Sequence, residues 1–516
     1  HPVLDRVAKP RPGRKARVLT TPMPGSPIDV PDWVADTVFY QIFPDRFARS
    51  GRVPAPGAFE DWAAPPTQAG FKGGDLYGVV DRLDDLVDLG INGLYLNPVF
   101  AAASNHRYNA SDYLAVDPLL GGDEALRALV DGAHARGIRV ILDGVFNHSG
   151  RGFFPFQHVI ETGARSPYRD WFYLDRDVLE GERGIDPYPS GDPEGHHLRA
   201  GYRSWWNIAA LPKLRVEHPP LREFLFGVAE HWLRFGIDGW RLDVPAEIED
   251  PTFWPEFRRR VRAVKPDAYL VGEIWREAPE WLQGDRFDGL MNYPLGLAIL
   301  GFASAGRLNQ EAIDGQADYR GFLTALDAPA FGDRVGHLMA LHDPETTGAQ
   351  YNLIGSHDSP RARTCLAGDS AALRLATLLQ MVLPGAPAIY YGDELGMEGG
   401  PDPDCRRGYP PFPDDDGLAM RAFVRAIVRA RHEHVALRRG TVVVVAASGQ
   451  AIVIARKAGE GRALVAINSG REPARVDVEP GLIAGLAPVD LPGVAGGRVV
   501  DGGSIELPAQ GALVLI

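Results

Sequence analysis

Four short apolar segments of this chain each end in ionisable side chains, and they constrain its fold more than any other feature. They span residues 140–148, 236–244, 269–275 and 351–358. Apolar runs of this length are typical of strands in a parallel sheet whose two faces are covered by helices. Because parallel strands of such a sheet end at the same edge, we expect the ionisable side chains to converge there.

Further patterns bring the number of predicted strands to about eight, the number that closes a parallel barrel. Apolar runs predict strands at residues 38–43 and 93–98, and near Phe287 and Pro387. Apolar residues at helical spacing predict helices between most of the strands, among them residues 79–89 and 124–136. This strand–helix alternation predicts an α/β protein with a (β/α)8 TIM barrel.

Three stretches depart from the barrel pattern and suggest a division into domains. Residues 149–215 lack the alternation of strand and helix patterns and are rich in Gly, Pro, Asp and aromatics, which predicts a small inserted domain after the third strand. Short apolar runs separated by glycine turns predict an antiparallel β-sandwich over residues 436–516. Residues 1–31, rich in Pro, Arg and Lys, predict an extended arm, so the barrel takes residues 32–148 and 216–435.

Composition excludes several classes of partner. The net charge of −13 argues against nucleic acid and anionic membranes. The most apolar stretch, residues 378–391, is interrupted by prolines and predicts a helix that runs into a buried strand rather than a membrane span. The two cysteines, Cys365 and Cys405, have no metal-ligand spacing and predict free thiols.

The segment around Asp243 carries the clearest chemistry. Alternation along a strand places Arg241 and Asp243 on the same side, and an aspartate beside a permanent cation stays ionised and can act as a nucleophile. A structural ion pair at a strand end is the alternative explanation for this segment alone. Three further carboxylates at strand ends, Asp143, Glu273 and Asp358, favour an active site, because gathering such charges without a function is costly.

The four segments resemble the four motifs of the α-amylase family of glycoside hydrolases at their acids and histidines. The resemblance implies a nucleophile at Asp243, a general acid and base at Glu273, and a third carboxylate at Asp358 that stabilises the transition state. It also implies that the configuration at the anomeric carbon is retained, with the carboxyl groups of nucleophile and acid about 5–5.5 Å apart. The resemblance also implies supporting roles, in which Arg241 keeps Asp243 ionised and Asp143 orients the site. It further implies that His148 and His357 form hydrogen bonds to the sugar.

Finer resemblances indicate the subfamily of neopullulanases, cyclomaltodextrinases and maltogenic amylases. Residues 211–214, Leu-Pro-Lys-Leu, resemble its Met-Pro-Lys-Leu signature and add Lys213 to the substrate-binding residues. Tyr108 matches the tyrosine that stacks under the cleaved sugar. Trp205, Trp206 and Trp275 offer aromatic faces near the cleft, although the adjacent pair also suits an anchor for the inserted domain.

Two further matches concern the ends of the cleft. Asp402 and Arg406 resemble a pair that clamps the next donor sugar, with a surface salt bridge as the competing explanation. Glu247 matches a position near the acceptor sugar, and it equally suits a helix-capping acid.

Departures from this subfamily shape the expectations for partners and metals. Its members usually carry an N-terminal β-domain that dimerises, whereas only a short arm precedes Trp33, so we predict a monomer. They also bind calcium through an acidic segment after the first strand, and residues 48–53 contain no acid. Asn147 resembles a calcium ligand of many α-amylases, but alone it is better explained as a turn residue, so we predict no metal or other cofactor. Arg215 and Ala246 replace asparagines of the subfamily, which leaves acceptor-side behaviour open.

The sequence as a whole predicts a retaining α-glycosidase that hydrolyses α-1,4-linked glucans: maltodextrins, cyclodextrins, pullulan or starch. The alternatives are an α-glucan transferase or trehalose-forming isomerase on the same scaffold, and a non-catalytic carbohydrate-binding relative, which the three retained acids disfavour. No signal peptide pattern is present, so we predict a cytoplasmic location, with secretion left open because the sequence begins at His1.

Overall fold

The structure is a computed structural model that describes residues 29–190 and 200–516. The arm predicted over residues 1–31 lies outside the described residues, apart from its last three. Within the described part of the chain, every helix is too short or too polar to cross a lipid bilayer. Both cysteines are buried free thiols, as predicted.

Strands alternate with helices through the first three quarters of the chain. In chain order the strands are β1 (Phe39–Ile42), β2 (Gly93–Leu96), β3 (Phe100–Ala102), β4 (Ala110–Val116), β5 (Arg139–Gly144), β6 (Gly239–Leu242), β7 (Tyr269–Gly272), β8 (Gly289–Leu290), β9 (Tyr351–Leu353) and β10 (Ala386–Tyr390). All except the hairpin β3–β4 belong to one eight-stranded sheet, in the order β8-β7-β6-β5-β2-β1-β10-β9, and every pair in it is parallel.

The two ends of this strand order meet. Met291, directly after β8, forms a parallel bridge with Tyr351 of β9, so the sheet closes on itself. The strands are buried on both faces, as their continuous apolar sequences require. The predicted (β/α)8 barrel is therefore confirmed.

Most helices lie between the barrel strands, and the last helix, Pro480–Ile483, packs against the C-terminal part of the chain. The helices are Pro44–Phe47, Leu76–Asp81, Leu83–Leu89, Gly122–His134, Phe154–Thr162, Arg176–Leu179, Pro219–Phe235, Phe253–Val264, Tyr293–Ala303, Gln310–Asp314, Ala328–Met339, Pro344–Gly348, Ala362–Cys365, Ser370–Val382, Asp415–Glu433, Val435–Arg438 and Pro480–Ile483. The helix predicted over residues 79–89 is broken at Arg82, whose φ of −101° and ψ of 1° leave the helical range. The predicted helix running into a buried strand is confirmed as Ser370–Val382 followed by β10.

A glycine fixes the close approach of the two strands that carry the central motifs. A Cβ atom at Gly239 would lie 2.1 Å from the carbonyl oxygen of Tyr269, so no other residue fits at this position without moving β6 away from β7. The resulting register pairs Arg241 with Val271 and Leu242 with Gly272. It brings the residues that follow the two strands, Asp243 and Glu273, side by side.

Two sheets follow the barrel. Their strands are β11 (Thr441–Ser448), β12 (Ala451–Ala458), β13 (Gly461–Asn468), β14 (Ala474–Asp477), β15 (Ala495–Gly496), β16 (Arg498–Val500), β17 (Ser504–Leu507) and β18 (Gly511–Leu515). The sheets have the orders β11-β12-β13-β18-β15 and β14-β17-β16, and apolar side chains from both, among them Val453 and Ile505, form one cluster. The antiparallel sandwich is confirmed with one exception, the parallel pair β15–β18.

The stretch predicted as an inserted domain is irregular, and residues 191–199 within it lie outside the described part. Phe156 packs its ring against Phe172 and Tyr202, both at a centroid distance of 4.9 Å. A bridge between His148 and Lys213 joins the two ends of the stretch beside the barrel. The division of the chain into domains stays a prediction.

Candidate active site

The predicted carboxylates gather at the carboxyl ends of the barrel strands. Asp143 lies near the end of β5, Asp243 directly follows β6, Glu273 directly follows β7, and Asp358 lies shortly after β9. In barrel enzymes this end of the sheet carries the chemistry. The convergence predicted from the strand pattern is therefore what the structure has.

One guanidinium connects three of these carboxylates. Arg241 Nη1 lies 2.8 Å from Asp143 Oδ1 and 3.0 Å from Asp243 Oδ1, and its Nη2 lies 2.9 Å from Glu273 Oε2. Arg241 is 1% exposed, so these contacts are shielded from water. A strand-end ion pair between Arg241 and Asp243 alone does not describe this arrangement.

Burial and the Arg241 charge act in opposite directions on the Asp243 carboxyl. Burial raises the pKa of the Asp243 carboxyl well above its usual range, Arg241 acts against this rise, and Glu273 and Asp143 add to it. Arg241 therefore opposes the effect of burial on Asp243, and it shares its single charge among three carboxylates.

Glu273 has a defined position and a raised pKa. Burial raises the pKa of its carboxyl, Arg241 lowers it, and the Asp358 charge adds to the rise. The Val244 amide donates to Glu273 Oε2 at 3.0 Å, and Trp275 Nε1 donates to Oε1 at 3.0 Å. Val244 has a φ of 34°, a left-handed conformation that is costly for a β-branched residue and that aims its amide at Glu273.

Trp275 is itself held by stacking. Its ring lies parallel to that of Tyr293 with centroids 3.5 Å apart. Trp275 was predicted as a substrate contact, and the structure shows it bonded to the carboxyl of Glu273. It is therefore placed to fix the direction of that carboxyl.

Asp358 has a different charge environment from the other carboxylates. Burial acts to raise the pKa of Asp358, but His357 and Arg406 outweigh it, and the pKa falls well below its usual range. His357 Nε2 lies 3.0 Å from Asp358 Oδ2, and Arg406 Nη2 lies 3.2 Å from Oδ1. Asp358 is thus held as a carboxylate.

Arg406 also forms the predicted pair with Asp402. Its Nη1 lies 2.9 Å from Asp402 Oδ1, and its Nε donates to the His357 carbonyl oxygen at 2.8 Å. Arg406 is buried and also contacts Asp358, whereas Asp402 is exposed, so the pair reaches from the cleft to the surface and its role in binding sugar stays a prediction.

Tyr108 lies between the first and last motifs. Its hydroxyl is 2.6 Å from Asp143 Oδ2 and 2.6 Å from His357 Nε2, and its ring stacks on His357 with an interplanar angle of 6°. The structure therefore brings Tyr108, Asp143 and His357 into one cluster. The ring nitrogens of His357 both contact protein groups, since Nδ1 lies 2.9 Å from Gln41 Nε2.

His148 and the two adjacent tryptophans form an aromatic stack. His148 stacks on Trp205 at 5.1 Å, and Trp205 stacks on Trp206 at 4.8 Å, so Trp206 ends the row and is 69% exposed. Burial lowers the pKa of His148 to about 3, which makes it a neutral imidazole at physiological pH. Its Nε2 lies 3.1 Å from the Tyr108 carbonyl oxygen.

Comparison with known proteins places this geometry in a family. The family model described as the α-amylase catalytic domain matches residues 41–425, a range that includes all four carboxylates. The chain belongs to the α-amylase family. A cyclomaltodextrinase of Geobacillus thermopakistaniensis is 42% identical over 450 residues, which cover 86% of this chain and 71% of that protein.

Solved structures in the α-amylase family match over almost the whole length of both chains. The debranching enzyme of Nostoc punctiforme is 40% identical with a TM-score of 0.83, and the match covers 95% of this chain and 100% of that one. The cyclic α-maltosyl-(1→6)-maltose hydrolase of Arthrobacter globiformis is 38% identical with a TM-score of 0.81, covering 94% and 99%. The match to the cyclomaltodextrinase confirms the resemblance to that subfamily.

Asn147, which resembles a calcium ligand in many α-amylases, has another partner here. Lys213 Nζ donates to Asn147 Oδ1 at 2.6 Å and to the Glu247 carbonyl oxygen at 2.7 Å. The buried ammonium group takes the oxygen that a calcium ion would need, so these residues do not fit the metal. The Glu247 side chain is half-buried at the end of a short 3-10 turn, Pro245–Glu247, next to Asp243.

We expect an excess of EDTA to leave the melting temperature unchanged, because the Lys213 ammonium already supplies the charge at Asn147. Thermal unfolding followed by circular dichroism, with and without chelator, checks this. A fall of several degrees that added calcium reverses would contradict it.

Several residues of this α-amylase site were missed by sequence reasoning. Asn97 follows β2 at the same end of the barrel as the acids, so the signal that found the acids was available for it. Gln41 and Tyr95 are single polar or phenolic groups inside the buried strands β1 and β2, where nothing in the local sequence distinguishes them from core residues.

Proposed function

We propose that this protein is a retaining α-glycosidase that hydrolyses α-1,4-glucosidic bonds of maltodextrins, cyclodextrins, pullulan or starch. The observation that carries the proposal is the Arg241 guanidinium, which holds Asp243 and Glu273 together at the mouth of the barrel. The cyclomaltodextrinase relative supports the substrate class.

The spacing of the two carboxyls favours retention. They contact the two terminal nitrogens of one guanidinium, and the amide next to Asp243 donates to Glu273. Retaining glycosidases need about 5–5.5 Å between nucleophile and acid, whereas inverting enzymes leave a wider gap of about 6.5–9.5 Å for a water molecule. Bridging by a single guanidinium suits the shorter spacing.

The reaction then proceeds in two balanced steps. Asp243 attacks the anomeric carbon, the glycosidic bond breaks, and the proton of Glu273 passes to the departing oxygen. Water next attacks the anomeric carbon, its proton passes to Glu273, and the bond to Asp243 breaks. The reactive state therefore has the proton on Glu273 and the charge on Asp243, while the Asp358 carboxylate stabilises positive charge on the sugar.

Several of the supporting residues keep their predicted roles as proposals. Tyr108, His148 and His357 contact the cleaved sugar, and Asp402 with Arg406 binds the neighbouring donor sugar. The exposed face of Trp206 suits stacking of a sugar ring. The monomeric state and the cytoplasmic location stay predictions of the sequence.

A second candidate activity is cleavage of α-1,6 bonds. The solved structures that match end to end include the cyclic α-maltosyl-(1→6)-maltose hydrolase and a debranching enzyme. Both activities use the same carboxylates, so the choice lies in how the acceptor side of the cleft orients the bond.

Product analysis on maltotriose, β-cyclodextrin, pullulan and starch tests the proposal. We expect opening of the cyclodextrin and release of panose from pullulan, because panose arises when an α-1,4 bond of pullulan is cut. Release of maltotriose from pullulan would indicate α-1,6 cleavage. Longer or rearranged products without new reducing ends would overturn hydrolysis and favour a transferase or an isomerase.

A further inference from the structure

Gln41 is a buried amide below the candidate active site and belongs to none of the motifs. It lies in β1, is 1% exposed, and reaches His357 with its side chain, where Nε2 is 2.9 Å from His357 Nδ1. The same Nε2 lies 3.1 Å from Asn97 Oδ1. These two contacts decide where the proton of His357 resides.

The hydrogen-bond network that reaches His357 begins at Asp143. Its carboxylate offers only acceptors, so the hydroxyls of Tyr95 and Tyr108, each 2.6 Å from Asp143 Oδ2, must donate to it. The two tyrosine oxygens are then free to accept. Asn97 Nδ2 lies 3.0 Å from the Tyr108 hydroxyl and 3.3 Å from that of Tyr95, so it donates to them.

The direction of Asn97 fixes that of Gln41. With Nδ2 turned towards the tyrosines, Asn97 Oδ1 faces Gln41 and needs a donor, which only Gln41 Nε2 supplies among its contacts. The second hydrogen of that amide then points at His357 Nδ1. Nδ1 must accept it, so the proton of the imidazole lies on Nε2.

We infer that Gln41, oriented by the amide of Asn97, is a positioning residue that holds His357 in its Nε2–H tautomer. The Nε2–H then faces Asp358 Oδ2 at 3.0 Å and the Tyr108 hydroxyl at 2.6 Å, both of which can accept. The opposite tautomer would turn a lone pair of Nε2 towards the Asp358 carboxylate and repel it. The kinetic part of this inference rests on the proposed glycosidase function; the tautomer itself does not.

The proposal explains why an uncharged amide lies in the core of β1. A carboxylate at this position would accept a hydrogen bond from Nδ1 and thereby favour a second proton on His357. An aliphatic side chain would make no hydrogen bond to Nδ1, so both tautomers of His357 would be populated. Only a group that donates twice, to Asn97 and to His357, fixes the ring in the orientation and tautomer that Asp358 needs.

The test is nitrogen NMR of the full chain labelled with 15N-histidine, with His357 assigned by the signals missing from His357→Asn. In the wild-type protein we expect the shift of an unprotonated Nδ1 and a protonated Nε2. Gln41→Glu should protonate both nitrogens, and Gln41→Leu should give mixed tautomers. Both variants should lower kcat on maltotriose by up to about 100-fold with little change in KM, the effect of a misplaced catalytic group.

The control is Gln380→Leu, which removes another buried amide near the barrel, one that donates to the carbonyl oxygens of Asn352 and Ala388. It should lower the melting temperature but leave the His357 shifts and kcat unchanged. A protonated Nδ1 in the wild-type protein, or unchanged shifts in both Gln41 variants, would overturn the proposal. The shifts still decide the tautomer if the wild-type protein cleaves no glucan, so failure of the proposed function is a separate result.

Discussion

Replacing Asp243 by asparagine should lower the rate of maltotriose hydrolysis by about 10⁴-fold or more, the size of loss seen when a principal catalytic group is removed. The amide keeps the shape of the side chain but cannot form a stable ester with the anomeric carbon. Initial rates of glucose release, measured with the wild-type protein and the variant at equal concentration, check this.

The same variant should not lose stability. Burial raises the pKa of Asp243, which means that the folded protein disfavours its charge, and the neutral amide removes that cost. We expect the melting temperature of Asp243→Asn to equal or exceed that of the wild-type protein above pH 5, where the unfolded-state carboxyl is ionised. A lower melting temperature would mean that the ion pair with Arg241 outweighs burial.

Two comparisons separate loss of the nucleophile from other effects. Asp131→Asn removes the same charge from an exposed helical position, where it pairs with Arg127, and should leave the rate unchanged. Asp243→Gly makes room for azide, which should restore turnover of α-glucosyl fluoride and give a β-glucosyl azide. Wild-type activity in Asp243→Asn, or rescue that yields the α-azide, would contradict the assignment.

The convergence of Asp243, Glu273 and Asp358 could be predicted from the sequence because each of them follows a strand. Asp243 and Glu273 come directly after apolar runs, and parallel strands of a barrel end on the same side, so their convergence needs no knowledge of distant contacts. Asn97 carries the same signal more weakly, since one amide after one strand is common in loops.

Other parts of the site depend on contacts that the linear pattern does not encode. Gln41 faces His357 because the closed barrel places β1 next to β10, which pairs with β9, the strand that precedes His357. The pKa of Asp243 depends on how many carboxylates share Arg241, and that number is a property of packing rather than of spacing. The interruption of the predicted helix at Arg82 likewise could not be predicted, because no proline or glycine lies at this position.

Replacing Glu273 by glutamine should lower kcat/KM on maltotriose by about 10²–10⁴-fold, the usual contribution of general acid–base catalysis. The loss should depend on the leaving group, since fluoride departs without a proton whereas a glucosyl oxygen needs one. With α-glucosyl fluoride we therefore expect fast formation of the covalent glucosyl-enzyme and slow hydrolysis of it. The measurement is a burst of fluoride equal to the enzyme concentration, together with a covalent glucosyl adduct on intact-protein mass spectrometry.

The pH profile provides an independent check on the same residue. Because burial raises the pKa of Glu273, its carboxyl keeps the proton to a higher pH than an exposed glutamate, and kcat/KM should fall as pH rises through that pKa. Glu273→Gln should lose this alkaline limb, whereas Glu280→Gln, an exposed glutamate paired with Arg276 on the same loop, should keep it. Equal losses on maltotriose and on the fluoride, or an unchanged alkaline limb, would show that the proton comes from another group.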